Sequence, residues 1–182
     1  MNCCHYYQFI PGNEQVFSAD VTRIRYGCGV LKELGQEARA LGIKRVAVYT
    51  DSRIRSLPLF DEAVAALRAE GIEAVIYDEV RVEPTDVSFK EAARFAKSST
   101  FDGFISIGGG SVIDTAKAAN LYSSCEGDFM DYVNAPIGRG LVVPGPLRPH
   151  LACPTTAGTG SESTGIAAVS YTHLTLPTIL LV

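Results

Sequence analysis

A short apolar run, a glycine triplet and a helix-like run follow one another in this chain, and their order most narrows the possible folds. Residues 103–107 are typical of a buried strand, residues 108–110 of a tight turn and residues 112–119 of a helix. Glycines let the backbone approach a phosphate closely, and the free amides and dipole at a helix N-terminus attract its charge. The pattern therefore predicts an anion site where a strand ends and a helix begins.

A second glycine-rich segment, PTTAGTGSE at residues 154–162, follows another short apolar stretch. It carries four hydroxyl side chains: Thr155, Thr156, Thr159 and Ser161. Together, the two segments predict a site for a phosphorylated cofactor, a dinucleotide. The triplet lacks the GxGxxG spacing and no Walker lysine follows it, so a plain tight turn stays an alternative for either segment alone.

Strand-like and helix-like runs alternate along most of the chain. The strand-like runs are residues 21–26, 45–50, 72–77, 103–107 and 151–153, and the helix-like runs are residues 30–41, 59–70, 86–97 and 112–119. This alternation predicts an α/β fold, a Rossmann-like parallel sheet with flanking helices. Ligands of such sheets bind at the carboxyl ends of the strands. We therefore expect Asp51, Glu83, the glycine triplet and Thr155 to gather along one edge.

Two carboxylates near these turns each have two interpretations. Asp51 ends a strand-like run, where it can accept hydrogen bonds from a ribose or cap a helix; its charge would repel a 2′-phosphate, which favours NAD over NADP. Asp114 lies in a first helical turn, where it can hydrogen-bond a cofactor or a loop, or simply face the helix dipole.

Composition excludes several classes of partner. The net charge of −4 argues against nucleic acid, and no apolar run approaches the roughly 20 residues of a membrane span. Five cysteines without a CxxC pair favour reduced thiols and a cytoplasmic location. The N-terminal residues have neither a basic start nor an apolar region, so no signal peptide is expected. The oligomeric state, a homo-oligomer included, stays open.

The motifs GGGSVIDTAKAAN and PTTAGTGSE, in this order and at this separation, resemble the iron-containing alcohol dehydrogenase family. Within it, CCHYYQF, RVEPTD, AANLYSS and DYVNAPIG are most similar to the hydroxyacid-oxoacid transhydrogenases. The resemblance covers residues 3–168. It implies an N-terminal dinucleotide-binding α/β domain, which this chain supplies, and a C-terminal helical domain that carries a metal.

The resemblance also implies roles for individual residues. Gly109, Gly110 and Ser111 would face the pyrophosphate of NAD, with Asp114 beside them. The hydroxyls of Thr155, Thr156, Thr159 and Ser161 would line the nicotinamide end, and Asp51 would meet the adenosine ribose. Glu83 stands where many relatives have asparagine. The metal, iron or zinc, is held by one aspartate and three histidines of the helical domain, so this chain is expected to supply neither metal ligands nor catalytic residues.

By the same resemblance, 4-hydroxybutyrate would be oxidised to succinate semialdehyde while 2-oxoglutarate is reduced to 2-hydroxyglutarate. The metal would polarise the substrate oxygen, and NAD would carry the hydride. An NAD-dependent alcohol dehydrogenase of the same family is an alternative that the motifs do not separate. A third alternative is a non-catalytic nucleotide-binding fragment, with negligible activity for these 182 residues.

The predicted domain boundary lies at residue 168. Residues 169–178, VSYTHLTLPT, resemble one reading frame of a transposase-type sequencing adapter. We therefore expect residues 169–182 to be a non-native tail, outside the dinucleotide-binding domain of residues 1–168. A YxHL similarity to the transhydrogenases keeps a natural origin open, and the neighbours of His173 match no metal motif.

Overall fold

The computed structural model describes residues 23–171 and 174–180. Its strands are β1 (Arg45–Tyr49), β2 (Glu73–Tyr77), β3 (Gly103–Gly108), β4 (His150–Pro154), β5 (Ile166–Tyr171) and β6 (Leu174–Leu180). Its α-helices are α1 (Leu34–Ala40), α2 (Ser52–Arg55), α3 (Pro58–Ala69), α4 (Asp86–Lys97) and α5 (Gly110–Ser124). Short 3₁₀ helices cover Val30–Glu33 and Phe129–Asp131. The CCHYYQF motif and His173 lie outside the described residues.

Strands β1 to β4 form one parallel sheet in the order β2-β1-β3-β4. Because successive side chains of a strand point to opposite faces, β1 contributes to two cores. Val46 and Val48 pack with α1 and α3 on one face, whereas Ala47 and Tyr49 pack with α4 and α5 on the other. All six residues of β3 are buried. The predicted α/β class, a parallel sheet with helices on its faces, is confirmed.

Helix α4 has the bounds that the sequence predicts, residues 86–97. A capping box starts it: Ser88 N donates to Thr85 Oγ1 (3.2 Å), and Thr85 N donates to Ser88 Oγ (2.9 Å). Helix α5 extends beyond its predicted end at residue 119, because Asn120, Leu121 and Tyr122 are still buried against neighbouring elements.

The strand predicted at residues 21–26 is wrong over the part that the structure describes. Residues 23–26 belong to no strand, and residues 21–22 lie outside the described range. Ile24 and Tyr26 are 71% and 99% exposed, so the apolar side chains that suggested a half-buried strand contact no core. Alternation alone is not sufficient for a strand, which also needs a neighbour with which to pair.

Strands β5 and β6 form a separate antiparallel pair. The start of β5 lies against α5, and Ala167 and Val169 are buried in one cluster with Phe89 and Tyr122. The predicted domain boundary at residue 168 falls inside β5. The origin of residues 169–182 stays a prediction.

Candidate functional site

The segments that follow β1, β3 and β4 come together at one edge of the sheet, because the three strands are parallel. Thr155 N donates to Gly108 O at 2.9 Å, which joins the residues after β4 to the end of β3. The buried Thr50 Oγ1 donates to Ile107 O at 2.9 Å and joins the end of β1 to β3. This is the edge where the sequence predicts a ligand.

The two glycine-rich segments contact each other at this edge. A Cβ atom added to Gly109 would lie 3.2 Å from Thr156 Oγ1. A Cβ atom added to Gly110 would lie 3.0 Å from Thr159 Cγ2 and 3.1 Å from Ser161 Oγ. Three of the four predicted hydroxyl residues therefore lie directly against the triplet, so a larger residue at Gly109 or Gly110 would have to displace them.

The N-terminus of α5 offers donors for an anion. Gly109 is the N-cap residue and no side chain caps the helix. Val112 N and Ile113 N donate to Gly109 O, whereas the amides of Gly110 and Ser111 have no hydrogen-bond partner among the described residues. Two unpaired amides at the positive end of a fifteen-residue helix fit a phosphate group.

Asp51 caps the short helix α2. Its Oδ1 accepts hydrogen bonds from Arg53 N and Ile54 N, both at 2.9 Å. The other carboxylate oxygen has no hydrogen-bond partner within the part of the chain that the structure describes. The cap and the predicted ribose contact are therefore compatible, because each uses a different oxygen.

Asp114 faces protein groups. Its side chain is 9% exposed; Oδ2 accepts a hydrogen bond from Ala168 N at 3.0 Å, and Oδ1 lies 3.1 Å from Lys117 Nζ. Asp114 thus hydrogen-bonds to strand β5 and pairs with Lys117, and its predicted place beside the cofactor stays a prediction.

Glu83 lies in the loop between β2 and α4, exposed, with φ 60°. This left-handed conformation is unfavourable for most residues and is tolerated best by glycine and asparagine. This backbone conformation would favour an asparagine at this position without any contact to a ligand.

Lys117, which is not among the residues predicted from the sequence, contacts the second glycine-rich segment. The residue is 8% exposed, and its Nζ donates to Ser161 O (2.8 Å) and Thr164 O (3.0 Å). Burial lowers its pKa, while the charges of Asp114 and Glu162 oppose that shift. The signal in the sequence was a lysine among small and apolar residues, three positions after an aspartate on the same helix.

His150 joins two strands of the sheet, with its Nε2 2.9 Å from the buried Ser106 Oγ. Burial, and after it the positive charge of Lys117, lowers the pKa of His150 to about 4. The imidazole is therefore neutral at physiological pH, which suits a packed position between β3 and β4.

Within residues 23–171 and 174–180, no group of three or more histidine, cysteine, aspartate or glutamate side chains could hold a metal ion. No helix in the same residues is long and apolar enough to cross a bilayer.

Residues 21–176 match the model of a family described as iron-containing alcohol dehydrogenase. The match covers most of the chain, including both glycine-rich segments and the strands that position them. The chain belongs to the iron-containing alcohol dehydrogenase family.

Curated proteins similar to this chain include mitochondrial hydroxyacid-oxoacid transhydrogenases from several animals. The chain is 50% identical to the Bos taurus protein over an alignment of 182 positions, which covers 96% of this chain and 39% of the relative. It is 48% identical to the Homo sapiens protein over an alignment of 178 positions, which covers 93% of this chain and 38% of the relative. The chain thus spans about two fifths of the length of the curated relatives it matches.

Solved structures with the same fold include a 1,3-propanediol oxidoreductase, with a TM-score of 0.79 and 27% identity over 92% of this chain and 43% of that chain. The NADH-dependent butanol dehydrogenase A of Thermotoga maritima has a TM-score of 0.77 and 28% identity over 86% of this chain and 38% of its own. These likenesses support the predicted fold over nearly the whole chain.

Proposed function

We propose that this chain is the NAD-binding part of a hydroxyacid-oxoacid transhydrogenase. In the whole enzyme, 4-hydroxybutyrate is oxidised to succinate semialdehyde, and 2-oxoglutarate is reduced to 2-hydroxyglutarate. The contact between the two glycine-rich segments at the N-terminus of α5 carries the proposal for the cofactor. The identity of 50% to a relative of that name supports the choice of reaction.

The chain's part in the reaction is to bind and orient the cofactor. The amides of Gly110 and Ser111 donate to the pyrophosphate, while Gly109 gives the backbone its close approach. The unpaired carboxylate oxygen of Asp51 accepts hydrogen bonds from the adenosine ribose. Bound NAD supplies the hydride acceptor of the first half-reaction and the hydride donor of the second.

The second glycine-rich segment covers the nicotinamide end. Thr155, Thr156 and Thr159 are exposed at the sheet edge, where their hydroxyls are accessible to a cofactor, and Ser161 lies beneath them against Gly110. Asp114 acts on this segment through Lys117, since its Oδ1 pairs with Lys117 Nζ, which donates to Ser161 O. The iron or zinc that acts on the substrate oxygen is held by a helical domain outside these residues, so the 182-residue chain alone does not turn over substrate.

An NAD-dependent iron-containing alcohol dehydrogenase is the second candidate function. It is supported by the likeness to the Thermotoga maritima enzyme, which is named as NADH-dependent, at 28% identity. The higher identity to transhydrogenases, 50%, favours the first candidate.

Calorimetric titration of the 182-residue chain with NAD and NADP tests the cofactor proposal. We expect NAD to bind roughly tenfold more tightly than NADP, because Asp51 repels a 2′-phosphate. Asp51→Asn keeps the helix cap but removes the charge, so it should narrow this preference without lowering the melting temperature. Failure of the wild-type chain to bind NAD would contradict the proposal.

The reaction is tested on a longer chain that includes the family's helical domain. A transhydrogenase converts 4-hydroxybutyrate and 2-oxoglutarate together with little added NAD. A plain dehydrogenase requires stoichiometric NAD and only one of the substrates. The 182-residue chain serves as the control, and metal-dependent turnover by it would contradict a purely cofactor-binding role.

The compartment stays a prediction. The cysteine pattern favours a reducing compartment such as the cytoplasm, whereas the curated relatives are named as mitochondrial. Fluorescence microscopy of the native gene product, tagged at its C-terminus, against a mitochondrial marker distinguishes the two.

A further inference from the structure

Lys117 connects α5 to the second glycine-rich segment. Its ammonium group donates to Ser161 O of that segment at 2.8 Å, and to Thr164 O, two residues beyond the segment, at 3.0 Å. Ser161 is also the residue whose hydroxyl lies against Gly110. A single residue therefore receives a hydrogen bond from Lys117 on its carbonyl and contacts the glycine triplet with its side chain.

Two carboxylates, those of Asp114 and Glu162, interact electrostatically with the ammonium group of Lys117. Asp114 Oδ1 lies 3.1 Å from its Nζ, and the charge of Glu162 also favours the protonated lysine. Glu162 Oε2 is buried and has no hydrogen-bond partner among the described residues. Removing the lysine charge would leave two poorly solvated carboxylates without this cation, which is unfavourable.

Asp114 extends the same connection toward β5. While its Oδ1 pairs with Lys117, its Oδ2 accepts a hydrogen bond from Ala168 N at 3.0 Å. The pair therefore fixes the backbone at residues 161, 164 and 168 from one side of α5. None of these contacts requires a bound cofactor.

We propose that Lys117 is a positioning residue that holds residues 159–164 over the glycine triplet in the shape that receives NAD. This inference rests on the proposed function, since it concerns the same site. A loop that is ordered in advance loses less conformational entropy when its ligand binds, so the contacts of Lys117 contribute to affinity without touching NAD.

The test replaces Lys117 by methionine, which is similar in length but has neither charge nor donors. We expect Lys117→Met to weaken NAD binding roughly tenfold, measured by calorimetry. Lys117→Arg retains the charge and the donors and should recover most of the affinity. Lys97→Met, which removes an exposed lysine of α4, is the matched control and should bind NAD as the wild type does.

Hydrogen exchange without NAD gives a readout that is independent of binding. The amides of residues 159–164 should exchange faster in Lys117→Met than in the wild type and in Lys97→Met. The amides of β1 and β3 should remain as protected as before, since the two carbonyls that accept from Lys117, Ser161 O and Thr164 O, lie outside these strands.

The dependence of NAD affinity on pH gives a third readout. Lys117 faces Asp114 on its own helix, Glu162 on the loop and His150 on β4, and burial lowers its pKa below the ordinary value. As the pH rises through that pKa, the lysine loses its charge, and NAD affinity of the wild type should fall. In Lys117→Arg, this alkaline fall should be absent, because arginine stays protonated.

The outcomes separate the inference from the proposed function. If the wild type does not bind NAD, the proposed function fails, and the exchange rates alone decide the role of Lys117. Equal NAD affinity and equal exchange in the wild type and Lys117→Met would overturn the inference. If Lys117→Met does not fold, the pH dependence of NAD affinity in Lys117→Arg decides the inference. A fall of that affinity at alkaline pH like that of the wild type would overturn the inference.

Discussion

At the scale of single residues, the glycines that begin α5 are required by their neighbours rather than by their own backbone angles. Gly109 has φ −78°, which any residue adopts, and Gly110 does not have a positive φ. What excludes a side chain is the second glycine-rich segment, which lies 3.0 to 3.2 Å from the position of each missing Cβ. The two segments thus constrain each other.

Gly110→Ala should weaken NAD binding roughly tenfold while changing the free energy of unfolding by less than about 1 kcal/mol. The added methyl group displaces Thr159 and Ser161, but Thr159 is exposed and can move outward. Calorimetry with NAD and urea denaturation measure the two effects.

Gly145→Ala is the matched control, because nothing lies within 4 Å of the Cβ added there and its φ is not positive. Equal NAD affinity in the two variants would show that the close approach at Gly110 does not matter for the cofactor.

At the scale of elements, local signals determined where several helices begin. Thr85 and Ser88 form the capping box of α4, and Asp51 caps α2, so these starts are encoded within four residues of each helix. The strand predicted at residues 21–26, which residues 23–26 do not form, shows the opposite case. Its alternating pattern was local, but a strand also depends on a pairing partner elsewhere in the chain.

The contact between β3 and β4 should make stability depend on pH through His150. Its pKa is about 4 in the folded chain, whereas an unfolded histidine titrates near 6.5. As pH falls below about 6.5, the unfolded chain binds a proton that the folded chain resists, so stability is lost toward pH 4. Between pH 7 and pH 5, we expect the free energy of unfolding to fall by roughly 1–2 kcal/mol less in His150→Gln than in the wild type.

Urea denaturation of the wild type and of His150→Gln at these two pH values measures the difference. The other two histidines are common to both proteins, so their contributions cancel. Parallel changes of stability with pH in the two proteins would refute the assignment of this loss to His150.

At the scale of the whole molecule, the chain spans about two fifths of the length of the curated relatives it matches. Its described residues contain no cluster of metal ligands. We expect Zn²⁺ or Fe²⁺ to leave the melting temperature of the 182-residue chain unchanged, and a chelator likewise. A longer chain with the helical domain should be stabilised, because a metal that binds only the folded state raises stability by mass action.

Differential scanning fluorimetry with and without each metal checks this prediction. A metal-dependent rise in the melting temperature of the 182-residue chain would show that it holds a site of its own.

The sequence by itself determined the α/β class, the bounds of α4 and the two glycine-rich segments of the candidate site. Periodicity, caps and glycine turns are local features that a few consecutive residues specify. It did not identify Lys117, whose hydrogen bonds reach residues 44 and 47 positions away, nor the contact of Gly110 with Ser161. Those contacts were decided only by the tertiary structure, because the parallel order of β3 and β4 brings distant segments to one edge of the sheet.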